Sequence, residues 1–285
     1  MINWILYLIG RFVAVTFGRK VSYSIASFIG KLQFYFSIKD RRAVIHNMQR
    51  VTGLSDSKSI NDISKKVFIN FGQYLVEFFR FTLLDRDFID NHIKIINKQF
   101  LDEALSAGHG VIIVSAHLGN WELGGAVVAK LGYPFYGVAL SHAYPKVNDF
   151  FNNQRACCGV KIIPVGIALR RCSQLLKENK IVAFLGDRDF ANAGVEVKFF
   201  GKKAFVPRGA AKFSLKTKAL IVPTFLIKKN RGNFSLYFEK PISPFSDEGK
   251  LKTEQHLIEE YVKIIEAYIK QYPSQWYMFQ PFFTS

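Results

Sequence analysis

The sequence predicts an α/β fold, a mixed and mostly parallel central sheet flanked by helices, with an N-terminal membrane-associated helical segment. Three observations predict it. Beyond about residue 93, short apolar runs alternate with helical patterns, the arrangement of strand–helix–strand units covered on both sheet faces. Residues 111–114 are four β-branched side chains in succession, the composition of a strand buried on both sides. The first 38 residues are apolar and aromatic but broken at short intervals by basic side chains.

That opening segment comes first along the chain. Its uncharged runs, 1–10, 12–18, 21–30 and 32–38, are separated by Arg11, Arg19-Lys20 and Lys31. None reaches the roughly 20 apolar residues that a spanning helix needs. Basic residues spaced among Trp4, Tyr7, Phe12, Phe17, Tyr23 and Phe28 read as interfacial helices lying in the headgroup layer. The alternative is a single tilted N-terminal anchor over 2–17, with Arg11 drawn to one interface. A cleaved signal peptide is not expected, because no basic start precedes the apolar run. The division is therefore a membrane-associated segment, 1–38, and a catalytic domain, 39–285. No Pro/Gly/Ser-rich linker or internal repeat divides the latter.

Within the domain, 59–84 reads as a helix with Val67, Phe71, Leu75, Phe78 and Phe79 on one face. A strand follows at 93–96, then a helix over 100–106 ended by Gly108. After the strand at 111–114, the Gly119-Asn120 pair reads as a turn into a helix over 120–131. Further strands are expected at 135–138, 161–163, 181–185, 220–224 and 234–238. Helices over 147–157, 168–178, 207–217 and 253–271 alternate with them. In the last, Ile258, Val262, Ile265 and Ile269 form a core-facing stripe, and Pro273 lies just past its end.

The segment His117-Leu118-Gly119-Asn120-Trp121-Glu122 places an imidazole and a carboxylate just beyond the carboxyl end of a strand, where open α/β sheets bind ligands. A hydroxyl attacks a thioester poorly until a base takes its proton, and an imidazole suits that task near neutral pH. A carboxylate on the other ring nitrogen would fix the tautomer, the role expected of Glu122. The same spacing also fits a buried histidine beside a helix-surface glutamate. Asp187 and Asp189 follow the strand at 181–185 and reach the same sheet edge, where they could orient Arg155 or bond a sugar hydroxyl. Metal binding by these groups is a minor alternative, since no His-Glu-x-x-His spacing is present. Arg155 suits a phosphate, or the oxyanion that develops during acyl transfer.

Composition narrows the partners. The net charge of +17 is spread over pairs such as Arg41-Arg42, Lys65-Lys66, Arg170-Arg171, Lys202-Lys203 and Lys228-Lys229. Such a field suits nucleic acid, anionic lipid headgroups or an acidic carrier protein. Nucleic acid ranks last, for want of a helix-turn-helix, zinc-finger or RNA-binding signature. With 49% hydrophobic residues, among them 28 Phe and 12 Tyr, some apolar surface is expected to meet lipid. Cys157, Cys158 and Cys172 have no disulfide-framework or metal-knuckle spacing, which points to a reducing compartment and structural roles.

The His-x-x-x-x-Glu motif, with its Gly-Asn-Trp interior, resembles the signature of the bacterial lipid A late acyltransferases and the related phosphatidylinositol mannoside acyltransferases. Glycerol-phosphate acyltransferases carry Asp in the place of Glu122. Arg41-Arg42 with Asn47, Arg155, Gly186-Asp187-Arg188-Asp189, Phe199-Phe200-Gly201 and Tyr272-Pro273-Ser274-Gln275-Trp276 resemble further family elements in the same order. Arg188 departs from the Gln or His of many members. The resemblance implies a metal- and cofactor-free O-acyltransferase at the cytoplasmic face of the inner membrane. Its donor would be an acyl carrier protein thioester, and its acceptor an anionic glycolipid, a lipid A precursor, at the hydroxyl of a 3-hydroxyacyl chain. His117 is the expected base and Glu122 its partner, with Arg155, Asp187, Asp189 and Asn120 as substrate contacts. The alternatives are transfer from acyl-CoA to a phosphatidylinositol mannoside or other glycolipid, and a non-catalytic lipid-binding protein on the same fold.

Overall fold

The computed structural model describes residues 2–189, 193–230 and 232–283. Four helices open the chain: α1 (Ile2–Thr16), α2 (Arg19–Phe36), α3 (Ile38–Thr52) and α4 (Ser57–Phe79). Then come α5 (Arg86–His92), β1 (Ile93–Ile96), α6 (Gln99–Ser106), β2 (Val111–Ser115), α7 (Trp121–Lys130), β3 (Phe135–Ala139), α8 (Pro145–Ala156) and β4 (Lys161–Pro164). The remainder is α9 (Ala168–Lys177), β5 (Ile181–Leu185), the hairpin β6 (Val195–Phe199) and β7 (Lys202–Val206), α10 (Gly209–Thr217), β8 (Leu220–Asn230), β9 (Asn233–Phe238) and α11 (Glu254–Gln271).

Seven of these strands form one sheet in the order β1-β9-β8-β2-β5-β3-β4, while β6 and β7 pair apart. Every neighbouring pair in the large sheet is parallel except β8 with β9, so the sheet is mixed and mostly parallel as the alternation implied. Side chains alternate across β2: Ile112 and Val114 enter one apolar cluster, Val111 and Ile113 the other. All four are at most 4% exposed. Burying each one stabilises the fold by about 1.5–3 kcal/mol relative to an exposed side chain.

The N-terminal helices lie against the domain rather than apart from it. A Cβ on Gly30 would fall 2.7 Å from the Phe68 carbonyl oxygen, and one on Gly72 would fall 2.7 Å from that of Ala26. Glycine on both helices thus lets α2 and α4 cross backbone to backbone. Their outward faces are unusual. Phe12, Phe28, Ile29 and Phe36 are 63%, 63%, 56% and 80% exposed, while Tyr23 and Phe34 of α2 point inward. Among the described residues no helix is long and apolar enough to cross a membrane.

Several boundaries differ from expectation. The helix expected over 59–84 starts at Ser57, where Asp56 accepts from the Lys58 and Ser59 amides, and stops at Phe79 before a short 3-10 turn. Helix α3 was not foreseen, because its inward stripe of Val44, Met48 and Val51 is narrow among charged neighbours. The β6–β7 hairpin was anticipated only at its Phe199-Phe200-Gly201 turn. Its outward positions Glu196, Lys198 and Lys203 break any apolar run.

Candidate active site

The site follows from strand register. Strands β2 and β5 are adjacent and parallel, with Ser115 opposite Leu185. Carrying that register two residues further sets His117 opposite Asp187 at the carboxyl edge of the sheet. His117 Nδ1 lies 2.9 Å from Asp187 Oδ1, and the His117 backbone N–H donates to Asp187 Oδ2 at 2.9 Å. The Trp276 indole N–H donates to the same Oδ2, also at 2.9 Å. Asp187 and Trp276 are fully buried, whereas the His117 side chain is 13% exposed. Burial alone would raise the Asp187 carboxyl, but the His117 ring and the three hydrogen bonds together hold it below the ordinary carboxylate range.

A second segment from the far end of the chain braces this edge. The Tyr277 amide donates to the His117 carbonyl at 2.8 Å, and the Gly119 amide donates to the Gln275 carbonyl at 2.9 Å. Gln275 also bonds both the amide and the carbonyl of Lys228 on β8 through its side chain. Asn47 of α3, fully buried, donates to the Met278 and Gln280 carbonyls at 3.0 and 2.7 Å and accepts from the Phe282 amide. Gly119 is the one residue type that fits its place. Its φ is +64°, and a Cβ there would sit 2.1 Å from the Leu226 carbonyl oxygen.

The sequence expectation placed Glu122 on the histidine ring and left Asp187 to a substrate or to Arg155. The carboxylate found on Nδ1 is that of Asp187. Glu122, in the first turn of α7, accepts two hydrogen bonds from Arg155, at 2.6 Å from Nη2 and 2.9 Å from Nε. The reason is geometric: adjacent parallel strands bring their ends together, while Glu122 is carried one helical turn away toward α8. Burial opposes the Arg155 charge, yet attraction and hydrogen bonding from Glu122 raise its pKa above the usual value. Asn120 caps the start of α7 by accepting from the Leu123 amide at 2.9 Å and is 2% exposed. Asp189 accepts from the Gly194 amide at 2.7 Å. Among the described residues these acids and His117 do not gather into a group of three or more that could hold a metal.

Aromatic rings complete the surroundings. Trp121 meets the His117 ring edge-on at 5.1 Å and stacks on Tyr74 at 4.6 Å. Burial, then the Glu122 charge, pushes the Tyr74 hydroxyl well above its usual range, so it is a neutral donor at any working pH. His142, on the loop after β3, packs at a tilt against Phe151 with ring centroids 4.5 Å apart, and burial together with the Arg155 charge lowers its ring pKa. Sequence reasoning missed the bond from Trp276 to Asp187, since the tryptophan was visible only as a motif residue without a role.

Comparison with known proteins identifies the family. Two relatives are phosphatidylinositol mannoside acyltransferases. The one from Mycobacterium tuberculosis is 27% identical over 248 residues, 82% of this chain and 74% of its own length. The one from Mycolicibacterium smegmatis is 26% identical over 240 residues, 82% of this chain and 77% of its own length. The family described as bacterial lipid A biosynthesis acyltransferase matches residues 1–285, the whole chain. With that match and the His-x-x-x-x-Glu segment at the sheet edge, the chain is an acyl-transferring enzyme and belongs to the bacterial lipid A biosynthesis acyltransferase family.

Proposed function

We propose that the protein works at a membrane surface, moving a fatty acyl chain from an acyl carrier protein thioester to a hydroxyl of a lipid A precursor, with His117 as general base. The observation that carries the reading is the His117–Asp187–Trp276 array at the carboxyl edge of β2 and β5. An ionised carboxylate only accepts, so the ring proton sits on Nδ1 and Nε2 takes the hydroxyl proton. The acceptor oxygen then bonds to the thioester carbonyl carbon, and negative charge collects on the carbonyl oxygen. The amino end of α7, which begins at Trp121 four residues after His117, carries the positive pole that favours such charge. Collapse breaks the carbon–sulfur bond, and the imidazolium returns its proton to the leaving thiolate. Glu122 and Arg155 serve the wall of the site as a mutually neutralising pair.

Membrane association is part of the proposal. Leu140 and Tyr144 after β3, and Val165, Ile167 and Leu169 after β4, are exposed at the same sheet edge as His117. Helix α1 packs beside them through Tyr7 against Phe150 and Phe151 of α8. Exposed apolar side chains on α1 and α2, interleaved with Arg11, Lys20 and Lys31, suit insertion into an anionic headgroup layer with the site mouth facing it. This supports a monotopic place on the inner face of the cytoplasmic membrane.

The names of the relatives favour a second reading in which the acceptor is a phosphatidylinositol mannoside, and acyl-CoA is the donor to be tested with it. One experiment tests both. Purified protein is given labelled acyl carrier protein or acyl-CoA, with either a Kdo-bearing lipid A precursor or a phosphatidylinositol mannoside, and the acylated lipid is measured. His117→Ala should lose at least about 100-fold in rate, the scale of general-base catalysis. Substantial transfer by folded His117→Ala protein would remove the mechanism, and acyl release without transfer to any acceptor would remove the function.

A further inference from the structure

One hydroxyl near the base is used by nothing in the fold. Tyr74 of α4 stacks its ring on Trp121 with centroids 4.6 Å apart, and Trp121 meets the His117 ring edge-on at 5.1 Å, so a single indole links the two. Tyr74 is 7% exposed, and among the described residues its hydroxyl has no hydrogen-bond partner. An unpaired buried O–H is costly, and phenylalanine would give the same stacking without it. An acceptor that arrives with substrate accounts for the hydroxyl.

The charges that bear on this hydroxyl locate it. After burial, the Glu122 carboxylate raises it and the Arg155 guanidinium lowers it, while the phenol in turn acts on Arg155. It therefore lies within electrostatic reach of the Glu122–Arg155 pair at the amino end of α7, the end whose positive pole favours developing negative charge. Other donors at the site are taken. Arg155 directs Nε and Nη2 to Glu122 and Nη1 to Asn152, and both the Trp276 indole and the His117 amide are on Asp187. The Asn120 side-chain nitrogen is unpaired but wholly shut off from solvent, whereas Tyr74 keeps an open margin. The Tyr277 hydroxyl is unpaired among the described residues too, but only burial raises it, and its ring is tilted 52° from Trp121 at 6.1 Å.

We propose that Tyr74 is a catalytic residue, its hydroxyl donating a hydrogen bond to the thioester carbonyl oxygen as that oxygen turns negative; the assignment rests on the acyl-transfer reading above. When the acceptor oxygen bonds to the carbonyl carbon, the carbonyl π pair moves onto the oxygen and the Tyr74 O–H meets it. When the carbon–sulfur bond breaks, the pair returns to the carbonyl and the hydrogen bond relaxes. No proton leaves the phenol, which burial keeps neutral throughout. A donor aimed at charge that develops only in the transition state speeds the chemical step without tightening substrate binding.

The test separates kcat from KM. Wild type, Tyr74→Phe and a full chain carrying 3-fluorotyrosine at position 74 are compared in steady-state transfer with the donors and acceptors named above, and in thermal unfolding. Tyr74→Phe keeps the ring on Trp121 and should lose about 100-fold in kcat with KM within about two-fold of wild type. The fluorinated form, a stronger donor of nearly the same size, should keep the wild-type kcat or exceed it. Tyr74→Phe should melt no lower than wild type, because no hydrogen bond within the fold is lost; a lower melting temperature means that the hydroxyl has a partner there and overturns the proposal. A Tyr74→Phe kcat within about two-fold of wild type, a loss confined to KM, or an equal loss in the fluorinated form overturns it as well, while transfer by wild type leaves the function standing. No transfer by wild type from either donor to either acceptor removes the function, and this role with it.

Discussion

Replacing Trp276 by Phe keeps an aromatic ring in a fully buried place but removes the indole N–H that bonds Asp187 Oδ2. A hydrogen bond donated to a charged group is worth about 1.5–3 kcal/mol, and about 1.4 kcal/mol is ten-fold in rate. The His117 backbone N–H still bonds the same oxygen, so the loss should fall near the lower end, on the order of ten-fold in kcat with little change in KM. Stability carries a second, independent signature. The Asp187 carboxyl is held below its unfolded value, so it stabilises the fold above the unfolded carboxylate pKa of about 3.9 and loses that contribution as pH falls through the folded value. With one donor gone the folded value rises. Trp276→Phe should therefore lose part of this stabilisation at neutral pH and unfold at higher pH on acid titration. The assay is steady-state acyl transfer at saturating donor and acceptor, with circular dichroism followed down the acid range. A kcat within about two-fold of wild type and an unmoved acid transition would reduce Trp276 to packing and refute the reasoning.

Four other outcomes are expected. Arg155→Ala leaves the Glu122 carboxylate, 14% exposed, without its counter-charge and should cost roughly 3–5 kcal/mol in denaturant unfolding, whereas Glu122→Gln with Arg155→Met should recover most of it. Gly119→Ala forces a Cβ against the Leu226 carbonyl at a φ of +64° and should yield little folded protein on size-exclusion chromatography. Burial pushes the Cys172 and Cys158 thiols up to about 12, so mass spectrometry after iodoacetamide at pH 8 should show the exposed Cys157 modified first and these two last. Changing exposed Phe28 and Phe36 together to Asp should leave thermal unfolding unchanged while lowering co-sedimentation with anionic vesicles at least about ten-fold, and unchanged sedimentation would remove α2 from the membrane face.

The sheet was legible because its central strands are short apolar runs buried on both faces, as over residues 111–114. The hairpin at Val195–Phe199 and Lys202–Val206 was not, since one of its faces is charged and open. In the site, His117 and Asp187 could be placed on one edge from sequence, but not on each other. That pairing depends on which strand neighbours which, and a chain order of β2, β3, β4, β5 gives no sign that β5 inserts beside β2. Glu122 looked like the ring's partner because it was near along the chain. One turn of α7 was enough to hand it to Arg155.

The bracing of the catalytic edge by residues 275–282 has a consequence for how the enzyme comes into being. Asn47 reaches Met278 across 231 positions, and Asp187 reaches Trp276 across 89. A ribosome emits a chain from its amino end, so the N-terminal helices and most of the sheet emerge while these partners are still unmade. Closing such distant loops is slow and comes late in folding. Nascent protein can therefore gather its helices long before it can fix His117 against Asp187, and that sheet edge stays unbraced until residues 275–282 dock.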